Sequence, residues 1–323
     1  MKAKIWLTMN RKSGRMYMTI LPILILLTLL GTGQALWNIS ATINGEIYNT
    51  PRGEVADTTP GNFDLPFEDV TFRTENDMKL SGWFIDNEET SRVIVLTPGR
   101  GTNKWDILQQ GQVGNLYRHG YDILLFDPRS TGKSDGTKYG FGYYESQDLV
   151  NAAEYLKEER GATAIGVWGG SAGASAAIMA ALESELFAAI IADSPYANLR
   201  LAAASYQEHE KDLSLQLFFP LYMGIARFTL DFDLGEKTNL STRVKDLKTP
   251  LFLIHGLDDR ALEPINSQLL YENAGGPKRL WLAEGAWHVG TFEVYPDEYR
   301  RKVTAFFDSY MNENDHAVGE TEG

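Results

Sequence analysis

Apolar residues in this chain fall into three kinds of run, each predicting a different element. Between Arg15 and Glu46 there is no charged residue, and Met16–Trp37 is almost continuously apolar. About 20 such residues span a bilayer as a helix. Residues 16–37 are therefore expected to be a transmembrane anchor, or else a cleaved signal peptide ending near the small residues Gly33-Gln34-Ala35. The second kind of run alternates. Glu68–Arg73 and Met78–Ile85 swap apolar and polar positions around Glu75-Asn76-Asp77, which predicts a hairpin of half-exposed strands. The third kind is short and unbroken: Val93–Leu96, Asp122–Phe126, Ala164–Trp168, Phe187–Ala192, Leu251–Ile254 and Arg279–Ala283. Such runs mark strands buried on both faces. Between them lie helical patterns at 144–159, with Leu149, Ala152, Ala153 and Leu156 on one side, and at Ala174–Leu182, Gln268–Asn273 and Glu298–Met311. Strands alternating with helices predict an α/β domain over 67–312, a mostly parallel central sheet with helices on both faces.

The remaining segments are less regular. Residues 38–66 are polar and rich in glycine and proline, and read as a linker. Residues 197–248 carry no strand pattern but hold a dense apolar patch, Leu215–Phe228. They are expected to be extra helices packed on the core, or a helical cap lending apolar walls to a substrate pocket. Residues 313–323 form a polar, acidic tail.

Charge sharpens this layout. The 323 residues carry a net −13, yet residues 1–15 hold five basic residues and no acid, which leaves the body more acidic still. A basic flank before an apolar span keeps 1–15 in the cytoplasm and places the folded domain outside it. The domain is thus expected on the far side of the cell membrane as a single-pass protein, or secreted after signal-peptide cleavage. An acidic body excludes nucleic-acid binding, which needs a basic footprint. The absence of cysteine excludes a thiol nucleophile, thiolate metal sites and iron–sulfur clusters. No His-Glu-x-x-His and no phosphate-binding glycine loop occurs, so neither metal nor cofactor is expected.

Gly-x-Ser-x-Gly occurs twice, around Ser134 and around Ser171. Both copies follow an apolar run. After Ser134 comes the glycine-rich Thr137–Gly142, and after Ser171 an alanine-rich run. Alanine favours a helix and glycine opposes one. Only Ser171 therefore sits on the strand–turn–helix of a nucleophile elbow. A serine hydroxyl needs a base to take its proton, and the base needs a carboxylate to orient it. Among five histidines, His288 follows the last strand among small residues, Gly285, Ala286 and Gly290, and is the expected base. His255 ends a strand and reads as structural. For the acid, Asp259 lies just past a strand end, with Asp258 and Asp193 as alternatives. The developing oxyanion needs two N–H donors, expected from the backbone of Ala172 and of Arg100.

Four stretches, in order, give the chain a specific resemblance. They are Thr97-Pro98-Gly99-Arg100-Gly101, the loop Asp127–Gly136 with the second glycine–serine pattern, the elbow at Ser171, and the pair His255-Gly256-x-x-Asp259 and Gly285-x-x-His288. Together they resemble the alpha/beta-hydrolase superfamily from about residue 67 to 312. Asp193-Ser194-Pro195-Tyr196 and the N-terminal apolar segment are further similar to membrane-anchored bacterial members related to eukaryotic depalmitoylating thioesterases. The resemblance implies an alpha/beta-hydrolase fold with a helical cap insertion and a triad of Ser171, Asp259 and His288. It also implies a serine hydrolase acting on small-molecule or lipid esters or thioesters. A serine peptidase and a non-catalytic binding protein on the same fold are the alternatives. The chain departs from the pattern at Pro98, where the superfamily usually has histidine, at Ser130 for a glycine, and at Arg100. The Arg100 side chain is expected to pair with a surface acid rather than to bind an acidic group of the substrate.

Overall fold

A computed structural model of the chain describes residues 31–87, 90–210 and 219–312. The basic segment 1–15, residues 16–30 of the expected membrane segment and the tail 313–323 lie outside the described residues. Residues 31–48 are helical, and no described helix is long and apolar enough to cross a membrane. The chain divides into two compact units, Met1–Gly45 and Glu46–Gly323. The second contains the sheet.

Eight strands form that sheet: β1 (Glu68–Arg73), β2 (Lys79–Ile85), β3 (Arg92–Thr97), β4 (Asp122–Phe126), β5 (Ala164–Gly170), β6 (Phe187–Asp193), β7 (Leu251–Gly256) and β8 (Lys278–Ala283). Their spatial order is β1-β2-β4-β3-β5-β6-β7-β8. β2 runs antiparallel to both neighbours, and every other pair is parallel. Each unbroken apolar run became a strand because both its faces are covered. Val93 and Val95, Leu124 and Phe126, Ile190 and Ala192, and Leu251 and Leu253 point to one core. Ile94 and Leu96, Ile123 and Leu125, Ala189 and Ile191, and Phe252 and Ile254 point to the other. β8 differs from its sequence reading. It is the edge of the sheet, and most of its positions stay part-exposed because only one side has a neighbour.

Helices α1 (Lys104–Gln109), α2 (Gln112–Arg118) and α8 (Pro296–Met311) cover the second core. Helices α3 (Tyr143–Glu159), α4 (Ala172–Glu183) and α7 (Ile265–Asn273) cover the first. Fully burying a side chain such as Phe306 or Phe307 contributes about 1.5–3 kcal/mol each. This is the alpha/beta-hydrolase architecture. Residues 197–248 include α5 (Leu199–Glu210), α6 (Phe219–Thr229) and two single-turn helices. Part of this stretch packs on α3: the Phe232 ring lies 4.3 Å from that of Tyr143 and 5.0 Å from that of Tyr144.

Of the stretch 38–66, read as a linker, residues 38–48 are helical, and the part around Arg52 runs as a strap along the domain. Gly132 donates its N–H to the Arg52 carbonyl at 2.7 Å. The Arg52 guanidinium donates in turn to the carbonyls of Gly132, Gly136, Thr131 and Ser134. The polarity that suggested a linker is used for hydrogen bonds to a loop.

Beneath the carboxyl ends of the strands lies a buried polar chain. The Trp168 indole donates to the Tyr299 hydroxyl at 2.8 Å, which donates to Asp193 Oδ2 at 2.8 Å. Asp193 is fully buried. Burial pushes its pKa up to about 6, although the Tyr299 hydrogen bond and the nearby His255 and His288 oppose the rise. The unfolded chain would release this proton near pH 4. The folded protein therefore holds it more tightly, and the group costs stability as pH rises from about 4 to about 6. Asp193→Asn should remove that cost. The variant's unfolding free energy relative to wild type should increase by up to about 2–3 kcal/mol between pH 4 and pH 7, measured by urea denaturation across the range. A difference that does not change with pH would refute the assignment.

Candidate active site

Ser171 joins β5 to α4 with φ 55° and ψ −123°. Few residues adopt such a backbone, and it costs on the order of 1–3 kcal/mol. It persists because the flanking glycines allow a turn no other residue would fit. A Cβ on Gly169 would lie 2.5 Å from the Gly173 carbonyl oxygen, and a Cβ on Gly173 would lie 2.4 Å from that of Pro98. The second contact presses the start of α4 against the loop after β3. That loop, with Pro98 and Arg100, therefore lines the same cavity as Ser171 and His288. The cavity measures about 230 Å³. The Ser171 N–H is fixed by the Asp193 carbonyl at 2.8 Å.

The acid and the histidine arrive on loops after β7 and β8. Asp258 donates its N–H to the Ala286 carbonyl at 2.9 Å, and Leu257 to that of Ala283 at 2.8 Å. Val289, next to His288, donates its N–H to Ser194 Oγ at 3.1 Å. These bonds hold the histidine loop to the ends of β6 and β7. With its proton on Nδ1, His288 donates to Asp259 Oδ2 at 2.7 Å and accepts from the Ser171 hydroxyl at Nε2, 2.9 Å away. The structure thus brings Ser171, His288 and Asp259 into one hydrogen-bonded line.

Asp259 is 4% exposed. Its Oδ1 accepts the N–H groups of Ala261 and Leu262, both at 2.9 Å. His255 Nε2 lies 3.2 Å from Oδ2 while donating to the Leu262 carbonyl, and its Nδ1 accepts from the Ser267 hydroxyl. Burial alone would raise the Asp259 pKa. Hydrogen bonds from His255, His288 and the Leu262 N–H outweigh it and hold the carboxyl well below its ordinary range. The group is thus a carboxylate wherever the protein is folded near neutral pH. Asp258 is exposed. Asp193 is engaged by Tyr299 and by the Ser194 hydroxyl at 3.3 Å. His255 read as structural in the sequence. Its four-residue spacing from Asp259 was the signal that the two belong together.

Two further residues are placed as expected. Arg100 pairs with Glu46 on the surface. Ser134 is buried, donates to the Asp127 carbonyl and accepts the Ser81 N–H at 2.9 Å. It closes its loop rather than facing a cavity. Among the described residues, no group of side chains could hold a metal ion.

Comparison with known proteins agrees with the fold. A solved esterase of Pyrococcus furiosus is 30% identical, covers 81% of this chain and 97% of its own, and superposes with a TM-score of 0.67. An uncharacterized membrane protein of Saccharomyces cerevisiae is 26% identical over 218 residues, covering 66% of this chain and 70% of its own. A thiohydrolase of Aspergillus aculeatus is 31% identical over 127 residues, 38% of this chain and 40% of its own. The sequence pattern of the prolyl oligopeptidase family, peptidase family S9, matches residues 118–314, from the end of α2 through α8. By that match the chain belongs to the prolyl oligopeptidase family, and its fold is that of an alpha/beta hydrolase.

Proposed function

We propose that the protein is a serine hydrolase that cleaves carboxylic ester or thioester bonds through an acyl-enzyme. The observation that carries this reading is the line Ser171–His288–Asp259, with 2.9 Å and 2.7 Å between successive partners. Ser171 Oγ attacks the carbonyl carbon while His288 Nε2 takes its proton. Asp259 stabilises the imidazolium so formed and keeps the ring oriented. The backbone N–H groups of Ala172 and Arg100 receive the negative charge on the carbonyl oxygen. His288 then gives its proton to the departing alcohol or thiol, leaving the acyl group on Ser171. Water, activated by the same imidazole, repeats the cycle and releases the acid.

The related esterase and thiohydrolase support the ester and thioester arms respectively. The family match favours a second reading, hydrolysis of peptide bonds by the same three residues. Turnover of an N-acetylalanine p-nitroanilide faster than of the matching p-nitrophenyl ester would select it. The basic segment 1–15 and the apolar segment 16–37 support attachment to the cell membrane, with the domain outside the cytoplasm. Secretion after cleavage is the alternative. The name of the yeast relative supports the membrane-bound reading.

Ser171→Ala should lower kcat for p-nitrophenyl butyrate by at least about 10³-fold and abolish labelling by a fluorophosphonate; retention of both sinks the proposal. Asp259→Asn should lower kcat by roughly 10⁴-fold, because the amide favours the wrong histidine tautomer, whereas Asp258→Asn should stay near wild type. Equal losses from the two would remove Asp259 from its role. The full chain should sediment with membranes through an alkaline carbonate wash, and removal of residues 1–37 should release it. A full-length protein found in the wash would count against the anchor.

A further inference from the structure

A second buried carboxylate, Asp193, reaches the histidine loop by a route separate from Asp259. Ser194 follows β6 and is fully buried. Its N–H donates to the Ile254 carbonyl at 2.8 Å, which ties the turn to β7. Its hydroxyl donates to Asp193 Oδ1 at 3.3 Å and accepts the Val289 N–H at 3.1 Å. That N–H belongs to the peptide group joining His288 to Val289. Val289 has φ 53°, a backbone that a β-branched residue seldom adopts and that needs support from its surroundings. Its side chain packs beside the elbow: a Cβ on Gly170 would lie 3.3 Å from Val289 Cγ1.

The protonation state of Asp193 decides how Ser194 is used. An ionised carboxylate only accepts, so it takes the hydroxyl protons of both Tyr299 and Ser194. The Ser194 lone pairs are then left for the Val289 N–H. A protonated acid carries a donor of its own, which competes for the same hydroxyl oxygen. The titratable groups facing Asp193 are Tyr299 from α8, His255 from β7 and His288 from the loop after β8. Burial keeps Tyr299 a neutral hydroxyl, with its pKa well above the ordinary value. Asp193 itself changes charge near pH 6, within the working range of a histidine base.

Resting on the serine-hydrolase reading, we propose that Asp193 and Ser194 are positioning residues for His288: the ionised carboxylate orients the Ser194 hydroxyl, and that hydroxyl holds the peptide group following the imidazole. The fully active enzyme then has Asp193 deprotonated. Activity falls when either His288 or this buried acid gains a proton. Small displacements of a reacting group are costly, so a support outside the reacting line can still govern the rate.

The test follows hydrolysis of p-nitrophenyl butyrate by the full chain between about pH 5 and pH 8. In wild type, log kcat/KM should fall more steeply than one unit per pH unit below about pH 6, because two groups gain protons. Asp193→Asn is isosteric and carries a donor at every pH, as the protonated acid does. It should lower kcat at pH 8 by about tenfold or more with little change in KM, and its acid limb should lose the extra steepness. Tyr299→Phe removes a hydrogen bond that holds Asp193 ionised, so the steep fall should move to higher pH. Ser194→Gly keeps the turn, since glycine adopts φ 53° freely, but loses the hydroxyl. It should match Asp193→Asn both in kcat and in slope. A wild-type acid limb of unit slope, or an Asp193→Asn variant with wild-type kcat, refutes the inference and leaves the hydrolase reading standing. Extra steepness that survives Ser194→Gly refutes the route through Ser194. A wild type that does not turn over the ester overturns both readings.

Discussion

The site depends on one residue held in an unfavourable conformation. Ser171 sits at positive φ on a turn that presents its hydroxyl to His288 beside the cavity. The energy to hold it there comes from its surroundings. β5 is hydrogen-bonded on both sides through the middle of the sheet, and the Asp193 carbonyl extends that ladder to the serine N–H. The contact between Gly173 and the Pro98 carbonyl then fixes the loop after β3 against the start of α4. A side chain at either glycine would force strand, loop and helix apart. The geometry of the turn and the existence of the cavity are thus the same constraint.

A second layer of the design sits around the histidine. Asp259 accepts from two backbone N–H groups and is approached by two imidazoles, so its charge is distributed before any reaction begins. His288 is steered from the other direction by Val289, which has φ 53° and is held through Ser194. Ser194 belongs to the same turn as Asp193, whose carboxylate anchors Tyr299 and, through it, Trp168. The polar chain under the sheet and the reacting line above it therefore share a turn.

The sequence revealed the sheet well because its strands are buried on both faces, which writes an unbroken apolar run into the chain. It failed at β8 in one respect, since an edge strand can look as apolar as a central one while staying part-exposed. The elbow was legible because alanine after Ser171 and glycine after Ser134 dictate different backbones, and the order serine, acid, histidine then limited the partners. α1 and the region 197–248 were not legible in the same way. α1 is only six residues long and is held by an Asn103–Asp106 cap rather than by a periodic apolar face. That Asp106 and Ile107 of this short helix, and Gln110 at its end, line the cavity with Ser171 could not be read from their own neighbours. Residue chemistry and chain order pointed to Ser171 and His288 and left Asp259 beside Asp258 and Asp193 until the resemblance chose among them, but what surrounds them depends on folding that their own neighbours do not encode.

The Arg52 strap also has a consequence in time. Its carbonyl partners lie 79 to 84 residues further along the chain, on the loop after β4. The strap is made early when the chain is synthesised from its N-terminus, but it has nothing to bind until β4 and its loop have formed. Contacts spanning such distances are entropically late events in folding. The first segment of the domain to emerge is thus among the last to settle, and its docking reports that β4 and the loop after it are already in place.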